Sequence, residues 1–305
     1  MRAMTRPNKI LIIGLDYAGK SSILNVLHRK YNLMDNIKPT AGIERENITI
    51  LGIPIVTWDL GGQEKFRNQY LNNIKYFDKT DSVFYVIDAL NARRFELSTQ
   101  YFTDILNIFK KLDIKPKIVV CLHKIDPNIY NDPETQQLIT DLREIILTKT
   151  LGFEISIHIT SIYDMKSIVR AFSESLQGLI SALQPFKKVL EAIAIQLNLD
   201  GVILFEQNLL IVGEYYQNAI CEERCLNMAY NSIFYMRSTN PQLIDDTNFA
   251  KNFEFILNLR NKERRFRFFE VHFKNWDLFM LTIGKEKIDR TRINDILNSM
   301  SSIFN

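Results

Sequence analysis

The chain has 305 residues, a net charge of +3 and 46% hydrophobic residues, enough for two domains with cores of their own and too little charge to argue for a nucleic-acid partner. Three cysteines exclude a disulfide framework, and the apolar runs are strand-sized, so no membrane-spanning segment is expected. The start Met1 to Pro7 has no signal-peptide core, residue 2 is Arg where N-myristoylation needs Gly, and Ser301 to Asn305 lack a prenylation cysteine. The expectation is a cytoplasmic protein with no direct lipid anchor, recruited to any membrane by partners.

Lys9 to Ile13 is a short apolar run of strand type, and Ser22 to Leu27 has the apolar spacing of a helix. Between them stands Gly14-Leu15-Asp16-Tyr17-Ala18-Gly19-Lys20-Ser21. Such a glycine loop lets successive backbone N–H groups turn inward around phosphate oxygens, the helix N-terminus adds partial positive charge, Lys20 reaches the outer phosphates, and the Ser21 hydroxyl can ligate Mg²⁺. Lys38-Pro39-Thr40 follows, where Thr40 can ligate the metal while its amide touches a γ-phosphate. Pro54 to Trp58 reads as a strand that ends in Asp59, placed to hold Mg²⁺ through water. In Gly61-Gly62-Gln63 the Gly62 amide can meet the γ-phosphate and Gln63 can orient an attacking water. Loops whose contacts exist only with a triphosphate are ordered before hydrolysis and released after it.

The strand-like run Lys117 to Leu122 leads into His123-Lys124-Ile125-Asp126. Taken alone, that stretch reads equally well as a solvated loop. With a nucleotide nearby, the Asp126 carboxylate can accept both hydrogens on the guanine edge, whereas adenine would leave the charge unpaired; this disfavours an ATPase or kinase. A strand from Phe153 to Ile159 ends in Thr160-Ser161-Ile162, where a backbone N–H can meet the guanine carbonyl.

These motifs, in this order and at strand ends, resemble a Ras-superfamily GTPase over residues 8 to 184. The phosphate loop and Trp58-Asp59-Leu60-Gly61-Gly62-Gln63 resemble the Arf-like branch; His123 to Asp126 and Thr160-Ser161-Ile162-Tyr163-Asp164 resemble the Rag (Gtr) branch. The resemblance implies a P-loop GTPase domain, α/β, with a mostly parallel six-stranded sheet flanked by helices. It implies that Gly14, Asp16, Tyr17, Ala18, Gly19, Lys20, Ser21 and Ser22 hold the phosphates of GTP or GDP, that Ser21, Thr40 and Asp59 hold Mg, and that Gln63, Lys20 and Thr40 serve a slow hydrolysis. It assigns the base to His123, Lys124, Asp126, Ser161 and Ile162, with Gly62 at the γ-phosphate. Exchange and activating proteins are the implied regulators.

Two positions depart from the wider pattern. His123 replaces an Asn that in most relatives ties the base loop to the phosphate loop, and a histidine titrating near neutrality would make base affinity weaker or pH-dependent. Asp16 stands where many Ras relatives have Gly, next to the phosphates and in the way of an incoming arginine finger.

A helix from Met165 to Leu183 completes that domain, and Pro185 opens a second, over residues 185 to 305, with little linker. There the pattern gives a helix with Val189, Ile193, Ile195 and Leu197, a hairpin of Gly201 to Phe205 and Leu209 to Val212 around Gln207-Asn208, and a helix from Ala219 to Met236. Strands Phe253 to Leu259, Phe266 to Phe273 and Leu278 to Ile283 follow, then a helix from Ile288 to Ile303. Cys221 and Cys225 share a helix face and read as core or free thiol rather than as metal ligands. Arg260 to Arg265 reads as a charged hairpin turn rather than a surface for acidic membranes or RNA. The element order resembles the α+β roadblock or longin-like domain of Rag proteins, with a five-stranded antiparallel sheet, and implies a homodimer or heterodimer through residues 185–305; packing against its own first domain is the alternative. A nucleotide-binding scaffold with incidental hydrolysis and an Arf-like trafficking GTPase remain the other functional readings.

Overall fold

A computed structural model describes residues 6–27, 40–50, 53–180, 183–206, 210–239, 252–259, 262–273, 276–286 and 290–299. The chain forms two compact units, Met1–Leu179 and Ile180–Asn305. In the first, strands β1 (Asn8–Gly14), β2 (Ile43–Ile50), β3 (Ile53–Leu60), β4 (Ser82–Asp88), β5 (Lys117–His123) and β6 (Ile155–Thr160) form one sheet ordered β2-β3-β1-β4-β5-β6. Only β2 and β3 are antiparallel; every other neighbour is parallel. Parallel neighbours need long crossovers, which α1 (Lys20–Leu27), α2 (Glu64–Leu71), α3 (Phe95–Lys111) and α4 (Pro133–Thr148) provide, while α5 (Met165–Leu179) follows the last strand.

Helices on both faces explain why β1, β4 and β5 are apolar along their length rather than alternating. On one face Leu11, Ile13, Val83, Tyr85 and Val120 belong to a core that also holds Phe102, Ile105 and Phe109 of α3 and Leu142 and Ile146 of α4. On the other, Phe84 rests on Phe172 of α5, with ring centroids 5.3 Å apart. Each such fully buried ring contributes about 2 to 3 kcal/mol from apolar area alone. Because the strands are parallel, the loops after Gly14, Leu60, Asp88, His123 and Thr160 all emerge at one edge of the sheet, where ligands of open α/β sheets bind.

Element boundaries in this unit shift from the sequence expectation by up to four residues. Strand β6 begins at Ile155 rather than Phe153, and α5 ends at Leu179 rather than Leu183. Gly178 in its last turn is a poor helix former, so the helix stops short.

The second unit runs α6 (Gln184–Gln196), β7 (Leu199–Phe205), β8 (Ile211–Tyr216), α7 (Ala219–Thr239), β9 (Asn252–Leu259), β10 (Lys262–Phe273), β11 (Trp276–Gly284) and α8 (Arg290–Ser299). Its five strands are antiparallel throughout, in the order β8-β7-β11-β10-β9. Pro185 sits in the first turn of α6, where its missing N–H costs nothing. Phe268 faces Phe253 across the strand pair with ring centroids 4.9 Å apart and stacks on Phe279 at 5.3 Å, while Phe255 faces Phe266 at 5.6 Å. Such cross-strand aromatic pairs fix the register, because a one-residue slip would turn the rings to the opposite face.

Four expectations here need correction or lie outside the described residues. Of the run Arg260 to Arg265, expected as a charged hairpin turn, Arg260 and Asn261 lie outside the described residues and Lys262 to Arg265 belong to β10: Arg264 pairs with Asp200, and Arg265 pairs with Glu254 and Glu263, so nearby carboxylates let the charges stay in a strand. Strand β8 starts at Ile211 rather than Leu209, and the turn positions Gln207-Asn208 are outside the described residues. Ile195, expected with the apolar set of α6, is exposed. Helix α8 covers Arg290–Ser299; residues 287–289 and 300–305 at its flanks are not described. Cys225 is buried and Cys221 half-buried on α7, and no group of three or more His, Cys, Asp or Glu among the described residues could hold a metal ion. No described helix is long and apolar enough to cross a membrane.

Candidate functional site

The loop between β1 and α1 is held from three sides. Lys20, only 6% exposed, folds back so that its Nζ donates to the Leu15 carbonyl at 2.9 Å. Burial lowers the pKa of that ammonium, while Asp59 and Asp16 pull it the other way. Tyr17 occupies left-handed backbone space at φ 61° with its ring exposed, a strained arrangement of the kind that collects at binding loops. From below, the His123 ring packs against Gly19: a Cβ there would lie 2.3 Å from His123 Cδ2, and with φ at 98° no other residue type is at ease.

His123 is 2% exposed, and its Nδ1 lies 3.0 Å from the Thr160 hydroxyl. Burial pushes its pKa down to about 4, with Lys124 adding to the effect. The ring is therefore neutral at physiological pH, which corrects the expectation of a group titrating near neutrality. It joins the β5 and β6 ends to the phosphate loop by packing rather than by charge.

At the end of β3 the three sequence-predicted oxygen ligands meet. The Ser21 hydroxyl donates to Asp59 Oδ2 at 2.7 Å, the Thr40 hydroxyl donates to the same oxygen at 3.0 Å, and the two hydroxyls are 3.0 Å apart. Asp59 is 2% exposed, yet its Oδ1 has no hydrogen-bond partner among the described residues. A buried carboxylate oxygen left bare costs stability unless something else satisfies it. Two hydroxyls and a carboxylate with an open oxygen fit a hard divalent cation such as Mg²⁺.

Gly62 is pressed onto the phosphate loop. Its carbonyl accepts from the Asp16 N–H at 3.1 Å and from Arg67 Nε at 3.0 Å, and a Cβ on it would lie 2.2 Å from Asp16 N. Gln63 is the N-cap of α2 but makes no side-chain capping bond. Gly61 donates to the Gly42 carbonyl at 2.8 Å, which also accepts from the Tyr70 hydroxyl at 2.7 Å. The neighbouring Lys38 and Pro39 lie outside the described residues.

Toward the far end of the same edge, Asp126 accepts a short hydrogen bond from the Ser161 hydroxyl, which also accepts from the Tyr163 N–H at 3.0 Å. The Ser161 N–H donates to Ser167 Oγ at 3.1 Å, so that amide already has a protein acceptor. Ile162 sits in the turn closed by Asp164 N–H to the Ser161 carbonyl at 3.1 Å. Lys124, at φ 73°, places its Nζ 2.8 Å from Asp88 Oδ2. Gly14 ends β1, Ala18 is buried in the loop that follows, and Ser22 lies in the first turn of α1.

Three contributors were not foreseen. Asp88 anchors Lys124, Thr160 orients His123, and Arg94 reaches Asp16, donating through Nη1 to its carbonyl at 2.8 Å and through Nη2 to its carboxylate. Arg94 closes the 3₁₀ turn Ala92–Arg94 just ahead of α3, 78 positions from its partner. The only sequence sign of it is an arginine pair shortly after a strand end.

A parallel sheet whose first strand runs through a glycine loop into a helix, with a buried lysine and a convergent Ser–Thr–Asp set at one edge, defines a P-loop nucleotide-binding protein. The conserved-region model described as Gtr1/RagA G protein matches residues 9–233, well over half of the chain. The chain belongs to the Gtr1/RagA family of G proteins. Among curated relatives, ADP-ribosylation factor-like protein 3 of Chlamydomonas reinhardtii is 37% identical over 98 residues, which cover 32% of this chain and 52% of that protein, so the chain spans about half the length of the relative. Among solved structures, the Arl6 BBS3 small GTPase from Trypanosoma brucei, with bound nucleotide analogue GppNp, aligns with 56% of this chain and 96% of that one, at 18% identity and a TM-score of 0.46.

Proposed function

We propose that the chain is a guanine-nucleotide switch that binds GTP and GDP with Mg²⁺, hydrolyses GTP slowly, and signals through its C-terminal unit. The observation that carries this reading is the convergence of Ser21, Thr40 and Asp59 with the bare Asp59 Oδ1. Ser21, Thr40 and Asp59 would hold the metal, which when bound neutralises charge on the β- and γ-phosphates. Lys20 exchanges the neutral Leu15 carbonyl for charged phosphate oxygens, a stronger charge-assisted bond. The Gly62 N–H and Thr40 meet the γ-phosphate, and the Gln63 amide, unused as a helix cap, orients the attacking water. Asp126, held by Ser161, takes the guanine edge; Lys124 and Ile162 flank the base. Loss of the γ-phosphate releases Thr40 and Gly62, which is the switch.

The unit from Ile180 on is read as a roadblock or longin-like domain that pairs two chains, identical or different, with exchange and activating proteins as further partners; the antiparallel sheet flanked by α6, α7 and α8 supports this. Single-turnover GTP hydrolysis of the full chain and of Gln63→Leu tests the catalytic part. Turnover should fall by at least tenfold in the variant with GTP affinity retained, and equal turnover would sink the switch reading in favour of a nucleotide-holding scaffold. Light scattering of the full chain tests the pairing: a monomer at micromolar concentration contradicts it.

A further inference from the structure

We infer that Arg94 is a positioning residue of the phosphate loop, which neutralises Asp16 and fixes the adjoining peptide so that the site accepts a triphosphate in preference to a diphosphate. The inference rests on the guanine-nucleotide reading and adds the residue that sets GTP against GDP. The phosphate loop carries a carboxylate at Asp16, whose backbone N–H touches Gly62, the residue set to face the γ-phosphate. A bare carboxylate there would repel the extra charge of a triphosphate far more than a diphosphate, whose last phosphate lies farther away. Arg94 removes that penalty: Nη2 pairs with the carboxylate, and the pair is about three-quarters shielded from solvent, with side-chain exposures of 30% and 25%.

The second bond does something different. In a trans peptide the carbonyl and the following N–H point in opposite directions. Arg94 Nη1 holds the Asp16 carbonyl at 2.8 Å, so the Tyr17 N–H is turned to the side away from Arg94. That N–H belongs to a residue held at φ 61°, a conformation the loop would leave if unsupported. One guanidinium thus sets both the charge and the direction of a donor. Ile87 and Ser98 join Asp16 and Arg94 in lining a small pocket at this pair. A planar fork is needed for two bonds at a fixed angle, and a lysine supplies charge without it.

Equilibrium binding of GDP and of a non-hydrolysable GTP analogue, with Mg²⁺, to the full chain and to Arg94→Ala, Arg94→Lys, Asp16→Asn and the Asp16→Asn/Arg94→Ala pair tests this. Arg94→Ala should weaken the GTP analogue about tenfold more than GDP, and Arg94→Lys should recover only part of the difference. The double variant, which has no uncompensated carboxylate, should recover most of it. Asp16→Asn alone leaves the arginine uncompensated and should raise the preference for the triphosphate, which keeps the test open even if Arg94→Ala fails to fold. An equal loss for both nucleotides in Arg94→Ala, no recovery in the double variant, or an unchanged or lower preference in Asp16→Asn would overturn the role of Arg94. If the unaltered chain binds no guanine nucleotide, the switch reading falls and takes this inference with it, a result the variants cannot mimic.

Discussion

The six-stranded sheet brings several buried polar side chains together at the edge where its parallel strands end, among them Lys20, Thr40, Asp59, His123, Thr160 and Ser161. The five-stranded sheet pairs its charges between strands instead, Arg265 with Glu254 on the neighbouring β9 and Arg264 with Asp200 on β7 beyond β11, and fills its face with stacked phenylalanines. Parallel topology brings every loop of one polarity to the same edge, so a ligand site can form there. An antiparallel sheet sends its connections to both edges and offers surface rather than a cleft. The two units should therefore respond differently to substitution.

The largest expected effect falls on the first sheet's edge. Lys20→Ala should lower affinity for the GTP analogue about a thousandfold, since a buried charge-assisted contact to the phosphates is lost, and should leave the thermal melting of the second unit unchanged. Loss of less than tenfold, read by titration calorimetry, would move the phosphate contacts elsewhere. Next comes Phe268→Ala, which deletes a fully buried ring between Phe253 and Phe279 and should cost about 3 to 5 kcal/mol of that unit's stability with nucleotide affinity unaltered. Denaturant melts of the two proteins check it; a change in GTP affinity as large as the change in stability would erase the contrast between the two units.

A smaller effect tests how the base loop is tied down. His123 has its pKa lowered from 6.5 to about 4, so the unfolded chain binds the proton more readily and the histidine's contribution is full above pH 6.5, declines as pH falls toward 4, and is exhausted below that. The whole decline amounts to about 3 kcal/mol. His123→Asn should flatten stability between pH 6.5 and 4 while leaving nucleotide affinity nearly level from pH 6 to 8. A steep affinity change across neutrality in the unaltered chain would restore a titrating role for His123.

What the sequence made legible follows from chain continuity. The phosphate loop, Asp59 to Gln63 and His123 to Asp126 each carry their function within a few consecutive residues, so spacing alone points to them. Arg94 was not legible, because its meaning lies in a contact with Asp16 across 78 positions. Nor was the neutrality of His123, which depends first on burial against Gly19 and only second on the neighbouring Lys124 charge. The strand state of Lys262 to Arg265 was hidden for a similar reason: a run of charges looks like a solvated turn until the acidic partners Asp200 and Glu254 are placed beside it. In the second unit the element order was readable from periodicity, since its amphipathic helices and phenylalanine-rich strands are locally strong signals.

The central claim, a site selective for guanine nucleotides, stands or falls on competition binding of GTP, ATP and XTP to the full chain and to Asp126→Asn in the presence of Mg²⁺. The account predicts that GTP excludes ATP by at least a hundredfold in the unaltered chain, and that Asp126→Asn reverses the order of GTP and XTP because the amide donates where the carboxylate accepted. Comparable binding of ATP and GTP, or an order untouched by Asp126→Asn, would contradict it.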